Sequence, residues 1–275
     1  MTSVARLVQS CVGDAHALDR RPPASGKTTV ATRIARRHGL RLYSADTRTW
    51  EHRDRALAAG SEAARRWESL TPEERWERSS AAEMLEMSLH RERGPMVLDD
   101  LRALPPTPLV VAEGSPLPAS GMVDPGRAVW LIPTPAFQRA QLAARGTTGG
   151  AAELYLLLAE VIDREAREHG APTLSIDGAL DVEATTQAVE SLFADALAAG
   201  PRAESRDERR ALLREINEAI AGQVRAYYAR PWAEGDPDAV VRRFVCECGD
   251  TRCDADLELP VGALLAGPAL APGHR

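Results

Sequence analysis

The sequence has no long apolar run and no excess of positive charge, and each absence excludes a class of protein. No stretch approaches the roughly 18 consecutive apolar residues of a membrane-spanning helix, so we expect no contact with the membrane interior. The net charge of −6 argues against broad binding to nucleic acids. Arg6, Gln9, Ser10 and Asp14 interrupt any apolar core of a secretory signal, and we therefore expect a cytoplasmic protein.

Cysteine is also scarce, and three of the four cysteines lie between Cys246 and Cys253. Such clustering is typical of a reduced metal-binding group rather than a disulfide framework. Cys246 and Cys248 alternate on a strand and so point to the same side, and Gly249 allows the turn that returns Cys253 towards them. With His274, the three thiolates could complete a tetrahedral structural zinc site. Buried free cysteines in a small hairpin are the alternative.

Short apolar strands alternate with helices along most of the chain. The pattern predicts strands at residues 40–45, 108–112, 128–132 and 173–176, with a further candidate within 4–12. It predicts helices at residues 26–38, 135–144, 151–169 and 182–199, and a mostly helical stretch over 49–94. This alternation indicates an α/β fold with a parallel sheet covered by helices on both faces. After Pro201 the pattern changes to a charged helix at 204–229, followed by the cysteine-containing segment.

The most informative motif is the loop that leads into the helix at 26–38, with the sequence Pro22-Pro23-Ala24-Ser25-Gly26-Lys27-Thr28-Thr29. Backbone N–H groups from Ala24 to Thr29 could cradle phosphates at a helix N-terminus. Lys27 would reach the β- and γ-phosphates, and the Thr28 hydroxyl would ligate Mg²⁺. The motif therefore predicts a site for ATP with Mg²⁺. The alternative is a helix N-terminus rich in Ser and Thr, with an exposed lysine.

Two features of the region before this loop are atypical. The full phosphate-loop motif has glycine where this chain has Arg21, and a β-carbon there can crowd a backbone that must wrap phosphate. The motif also follows a buried strand, whereas residues 14–20 carry three charged side chains and a histidine. We therefore expect an atypical first strand and treat residues 1–21 as an atypical N-terminal segment.

Four features together resemble small-molecule kinases of the P-loop class, relatives of the nucleoside monophosphate, gluconate and shikimate kinases. They are the loop, the strand end at Asp46, the run Val110-Val111-Ala112-Glu113-Gly114, and the strand, Pro-Thr-Pro and helix of residues 129–139. The resemblance covers about residues 22–199. It implies a P-loop NTPase-type fold with a five-stranded parallel sheet, ATP with Mg²⁺ as cofactors, and a mobile lid that carries arginine.

The resemblance also implies roles for four further residues. Asp46 would contact the hydroxyl of the acceptor, and the alternative is a helix N-cap. Glu113 would hold Mg²⁺ through water or bind substrate, and the alternative is a carboxylate in a turn. Arg139 and Arg145, which flank the hinge-like loop 146–150, would neutralise the transferring phosphoryl group. Solvated surface arginines are the alternative for both.

The sequence thus predicts three parts: an atypical segment at 1–21, a P-loop kinase-like domain at 22–200, and a helix with a Cys-rich module at 204–275. The region from 204 also resembles a C-terminal module of uncharacterised actinobacterial proteins, through FVCECGD at 244–250 and Pro-Gly-His at 272–274. We expect transfer of the ATP γ-phosphoryl group to a small-molecule acceptor. The alternative is a nucleotide-binding or degenerate, non-catalytic protein that acts on a protein partner through its C-terminal module.

Overall fold

The computed structural model describes residues 4–9, 26–120 and 126–275. Its strands are β1 (Val4–Gln9), β2 (Arg41–Ser44), β3 (Val110–Glu113), β4 (Ala128–Pro133), β5 (Thr173–Ile176), β6 (Val241–Val245) and β7 (Asp256–Pro260). Its helices are α1 (Lys27–His38), α2 (Thr49–Ala58), α3 (Glu62–Ser69), α4 (Ala81–Met87), α5 (His90–Ala103), α6 (Pro135–Ala144), α7 (Gly149–Glu168), α8 (Val182–Leu192), α9 (Ala194–Ala199), α10 (Arg206–Tyr228) and α11 (Ala263–Ala266). The chain is therefore mixed α/β, as the sequence predicts.

Strands β1 to β5 form one parallel sheet in the order β2-β3-β1-β4-β5. β1 lies in the centre, with Val4 opposite Val110 of β3 and Arg6 opposite Ala128 of β4. The candidate strand within residues 4–12 is therefore the central strand, and α1 is the next helix along the chain. Residues 14–20, which make a poor strand by composition, lie outside the described residues.

Helices pack on both faces of this sheet, because side chains of successive strand residues point to opposite sides. Val110 and Ala112 of β3 pack with Leu158 of α7 in one buried cluster. Val111, which lies between them, packs with Ile34 of α1 in a second cluster. Each face thus has its own apolar core, which is the arrangement that near-continuous apolar strands predict.

Most predicted boundaries are confirmed to within two or three residues. Helix α1 ends where predicted, with Gly39 at φ +64° donating its N–H to the Ala35 carbonyl. Thr71 and Glu74 form the reciprocal hydrogen bonds of a capping box, but the helical segment behind them is a single wide turn that ends at Ser79. The helix predicted at 182–199 is two helices, α8 and α9, because the chain breaks at the fully buried Phe193.

The C-terminal region packs on the rest of its own chain. The apolar side of α10 is buried through Leu213 and Ile216, which lie against Val245 of the β6–β7 hairpin and Leu42 of β2. The buried Asn217 side chain bonds both the N–H and the carbonyl of Val245, as a neighbouring strand would. The apolar side of α10 is therefore part of the core of its own chain. Within the described residues, we find no helix with the length and apolar character needed to cross a bilayer.

Candidate functional site

Helix α1 begins at the edge of the sheet where the parallel strands end. Gly26 caps the helix with φ +75°, and its carbonyl accepts the Val30 N–H over 2.7 Å. The first turn carries Lys27, Thr28 and Thr29 and no acidic residue. The N–H groups and the dipole at a helix N-terminus favour an anion. Ala24 and Ser25, which complete the predicted phosphate loop, and Arg21 before them lie outside the described residues.

Lys27 lies at the centre of a charged cluster. Its side chain is only 4% exposed. Its ammonium group lies 2.9 Å from Asp46 Oδ2 and 3.9 Å from Glu113 Oε2. Thr28 Oγ1 donates to the same Glu113 oxygen over 3.3 Å, and Ser44 Oγ donates to the other. The predicted residues Lys27, Thr28, Asp46 and Glu113 thus come together, and Ser44 joins them.

Strand pairing explains why these groups meet. β2 and β3 are parallel neighbours, and their register puts Ser44 directly opposite Glu113. The chain then passes through Gly114 at φ +139°, where a Cβ would lie 2.6 Å from the Cβ of Ala45. Only glycine permits this close approach without a shift of the backbone. The ends of two strands therefore place Ser44, Asp46 and Glu113 together at the carboxyl edge of the sheet.

A buried polar network fixes the backbone just before Asp46. Arg93 donates to the Ala45 carbonyl over 2.5 Å and to His52 Nδ1 over 3.2 Å. His52 Nε2 then lies 2.8 Å from Asp100 Oδ2, which also accepts the Tyr43 hydroxyl over 2.7 Å. Because Arg93 donates to Nδ1, the ring proton of neutral His52 is on Nε2 and is donated to Asp100. This network was not predicted, since no local sequence pattern connects residues 43, 52, 93 and 100.

Burial and hydrogen bonding set the charges in this network. Burial lowers the pKa of His52, although the hydrogen bond to Asp100 opposes this effect. Burial would raise the pKa of Asp100, but the hydrogen bonds from His52, Tyr43 and Arg55 outweigh it and lower that pKa to about 2. The network therefore favours an ionised Asp100 and a neutral His52, and it holds the Ala45 carbonyl next to Asp46.

Asp46 does not cap a helix with its side chain. Its carboxylate accepts from Lys27, and the N-cap position of α2 is held by Arg48 without a side-chain hydrogen bond. The capping alternative for Asp46 is therefore wrong. Its side chain is 22% exposed, against 0% for Glu113, so Asp46 is the carboxylate of the cluster that a ligand in solvent can reach.

Glu113 is fully buried, and burial raises the pKa of its carboxyl to about 7. The charge of Lys27 and the hydrogen bonds from Ser44 and Thr28 lower this pKa, whereas the charge of Asp46 raises it further. A neutral Glu113 can donate its proton, whereas an ionised one can hold a cation. The group therefore changes its charge near neutral pH, where a bound divalent cation would favour the ionised form.

The raised pKa predicts a pH-dependent stability that Glu113→Gln removes. A carboxyl with a higher pKa in the folded chain stabilises the fold fully below its unfolded pKa of about 4.5 and loses that contribution as pH rises to about 7. Between pH 5 and pH 8, wild-type protein without nucleotide should therefore lose on the order of 2 kcal/mol relative to the variant. Urea unfolding of both proteins across this range measures the difference.

The matched control for this comparison is Glu92→Gln, at an exposed glutamate of α5. It reports the effect of removing a surface carboxylate from the same chain. A constant difference between wild type and Glu113→Gln from pH 5 to pH 8 would contradict a raised pKa at Glu113.

The two predicted lid arginines lie further along the chain, on and after α6. Arg139 is exposed and lines a groove of about 320 Å³ beside Thr134, which follows β4. Arg145 is the C-cap residue that follows α6, and residues 145–148 connect α6 to α7, so the predicted loop 146–150 extends into the first turn of α7. Gly150, the second residue of α7, packs closely against the backbone at Trp76, since a Cβ on Gly150 would lie 2.3 Å from the Trp76 carbonyl oxygen. A role for either arginine at the phosphates stays a prediction.

The second predicted cluster also forms, but Cys246 and Cys248 do not alternate on a strand, because β6 ends at Val245 and both cysteines follow it. Cys246, Cys248, Cys253 and His274 present four ligand atoms that lie within 4.8 Å of one another. The three cysteines are buried and free of disulfides, and His274 is exposed. This group could hold a metal ion. The alternative of cysteines that only fill a hairpin core does not explain why His274 lies beside them.

No protein-family model matches the chain, and no curated protein is significantly similar to it.

One further signal in the sequence marks Lys27. The chain has 34 lysine and arginine residues, and Lys27 is its single lysine. Arginine presents a planar fork of donors, whereas lysine is a compact point charge on a flexible stem. All of the other residues in this group are arginines. The single lysine thus stands at the position where the phosphate-loop motif requires lysine.

Proposed function

We propose that this protein is a P-loop phosphotransferase that binds ATP with Mg²⁺ and transfers the γ-phosphoryl group to a small-molecule acceptor. The observation that carries the proposal is the position of the single lysine. Lys27 is at the N-terminus of the first crossover helix, within hydrogen-bond distance of a carboxylate at the edge of a parallel sheet.

The topology supports a ligand at this edge. From the central β1, the sheet is extended by β3 and β2 on one side and by β4 and β5 on the other. Ligands of open parallel sheets bind outside the carboxyl ends of the strands, where the strand order changes direction. Helix α1 starts beside this switch point, so its N-terminus and Lys27 would meet the phosphates of a bound nucleotide.

The residues of the cluster suit phosphoryl transfer, which depends mainly on positioning and electrostatics. Lys27 would exchange Asp46 for the β- and γ-phosphate oxygens and neutralise their charge. Thr28 would give its hydroxyl to Mg²⁺, and an ionised Glu113 would hold the ion from the other side, directly or through water. Mg²⁺ would neutralise charge on the phosphates.

Asp46 would act on the acceptor. Once released from Lys27, its carboxylate could accept the proton of the acceptor hydroxyl as the new O–P bond forms and the bond to ADP breaks. Arg93 and His52 would keep Asp46 in place through the Ala45 carbonyl, which is the role of a support behind a catalytic group.

The test is formation of ADP from Mg·ATP in the presence of candidate acceptors: polyols, sugar acids, nucleosides and nucleoside monophosphates. We expect one class to raise ADP formation well above the rate with ATP alone and to yield a phosphorylated product. Nucleotide binding without any acceptor-dependent turnover would instead favour the alternative, a nucleotide-binding protein that acts through a partner.

A further inference from the structure

We propose that Cys246, Cys248, Cys253 and His274 bind one Zn²⁺ ion, and that this ion fixes the C-terminal hairpin against helix α1. The proposal does not depend on nucleotide binding or catalysis, because the site and its contacts lie on other residues.

The distances fit a tetrahedral ion. His274 Nδ1 lies 3.3 Å from Cys246 Sγ and 3.6 Å from Cys253 Sγ. A Zn²⁺ ion with Zn–S of about 2.3 Å and Zn–N of about 2.0 Å would separate sulfur from nitrogen by about 3.5 Å. Three thiolates and one imidazole are also a common ligand set of structural zinc sites.

Backbone hydrogen bonds hold the ligand segments in place independently of a metal. The Cys246 N–H bonds the Ala255 carbonyl, which extends the β6–β7 ladder by one residue. The Cys253 N–H bonds the Asp250 carbonyl across the turn. The Ala271 N–H donates to Cys246 Sγ over 3.3 Å and so brings the segment of His274 to the site. Bonds from backbone N–H groups to a ligating atom are typical of the surroundings of a metal site.

Gly249 makes the turn between Cys248 and Cys253 possible. Its φ is +72°, and a Cβ on this residue would lie 2.7 Å from the Arg206 carbonyl oxygen of α10. The turn is therefore in direct contact with α10. A side chain at position 249 would displace Cys248 and Cys253 from their present positions. Arg206 also donates from Nε to the Cys248 carbonyl over 2.6 Å.

Arg36 of α1 connects the site to the first helix. Its guanidinium is buried and donates to Cys253 Sγ over 3.5 Å, to the Ala255 carbonyl over 3.0 Å and to Asp256 over 3.1 Å. Zn²⁺ with three thiolates carries a net charge of −1, and a buried charge is costly without a partner. Arg36 provides the positive charge beside the sulfur, so metal binding and docking on α1 strengthen one another.

The first test is metal content. Full-length protein reconstituted with zinc and then desalted should contain one zinc ion per chain by mass spectrometry of the metal, and Cys248→Ser should lose most of it. The matched control is Cys11→Ser, at the one cysteine that lies outside residues 246–253 of the sequence; this variant should keep its zinc. A zinc-free or iron-containing wild type, or full zinc in Cys248→Ser, would overturn the proposal.

A second measurement uses only the wild type, since a cysteine variant could fail to fold. Reaction of the thiols with a mercurial should release zinc in step with the loss of three cysteines. Replacement of zinc by Co²⁺ should give the charge-transfer and d–d absorption of a tetrahedral thiolate site. Absorption of an octahedral cobalt ion, or reaction of all four cysteines without release of zinc, would count against the proposed ligand set.

The link to α1 has its own test. We expect Arg36→Met to weaken zinc binding by about tenfold or more, as loss of a partner around the ligands usually does. Arg33→Met, on the same helix but paired with Glu183, is the matched control. Removal of zinc from the wild type should also speed hydrogen exchange in α1. Unchanged zinc affinity in Arg36→Met together with unchanged exchange in α1 would show that the ion does not hold the hairpin there.

Discussion

Replacement of Lys27 by alanine should weaken Mg·ATP binding on the order of 100-fold, which corresponds to about 3 kcal/mol. The reason is that Lys27 would be the charged side chain that meets the β- and γ-phosphates from a site that is almost closed to solvent. Lys27→Arg should lose nearly as much affinity, because the larger planar guanidinium does not replace a point charge in this space. Calorimetric titration of the three proteins measures the effect.

Arg33→Ala provides the control on the same helix, since its side chain pairs with Glu183 instead of the site. It should bind Mg·ATP as the wild type does. Thermal unfolding of each variant must accompany the titration, because removal of Lys27 leaves Asp46 and Glu113 without their shared cation. Wild-type affinity in a folded Lys27→Ala variant would contradict the assignment of this loop.

Asp46→Asn should lower the rate of phosphoryl transfer by a factor of about 10² to 10⁴, which is the usual contribution of a general base. Its affinity for Mg·ATP should stay equal or rise, because Lys27 would no longer be held by a carboxylate 2.9 Å away. The variant thus separates transfer from binding. Turnover with the acceptor, measured beside nucleotide affinity, gives both quantities.

Asp177→Asn is the matched control for this substitution. Asp177 follows β5, as Asp46 follows β2, but its carboxylate accepts the N–H of Ala179 within a turn. Its loss should leave turnover close to that of the wild type. If Asp46→Asn turns over at the wild-type rate, Asp46 serves only as the partner of Lys27 in the absence of nucleotide.

Much of the fold follows from local sequence. Residues 109–112 and 128–133 are continuous apolar runs, and such runs mark strands that are buried on both faces. Gly39 marks the end of α1 correctly, because its positive φ suits a residue without a side chain. The break between α8 and α9 at Phe193 was missed, since a buried aromatic side chain inside a helical pattern carries no stop signal.

The central strand shows where local sequence is insufficient. β1 contains Arg6 and Gln9, and its sequence is less apolar than that of β3 or β4. Its position follows from pairing with two strands that lie more than 100 residues further along the chain, at Val110 and Ala128. Such pairing is a tertiary effect, and strand propensity alone does not reveal it.

The sequence predicts only part of the candidate site, because some of its contacts also depend on tertiary packing. Lys27 lies in the phosphate-loop motif, whereas Asp46 and Glu113 each follow a predicted strand, and the sheet brings the three together. The contact between Arg36 and Cys253 has no such signal, because each residue is ordinary in its own surroundings and 217 positions separate them. Side chains that support a site from behind are found by packing rather than by motif.

The single lysine permits the most direct test of the central claim, that this loop binds the phosphates of ATP. An acyl-phosphate derivative of ATP transfers its acyl group to a lysine amine next to the bound phosphates, and Lys27 is the one lysine side chain available. Peptide mass spectrometry of the labelled wild type should find the acyl group on Lys27, and excess Mg·ATP should prevent the reaction. An unlabelled Lys27, or labelling that Mg·ATP does not reduce, would contradict the account.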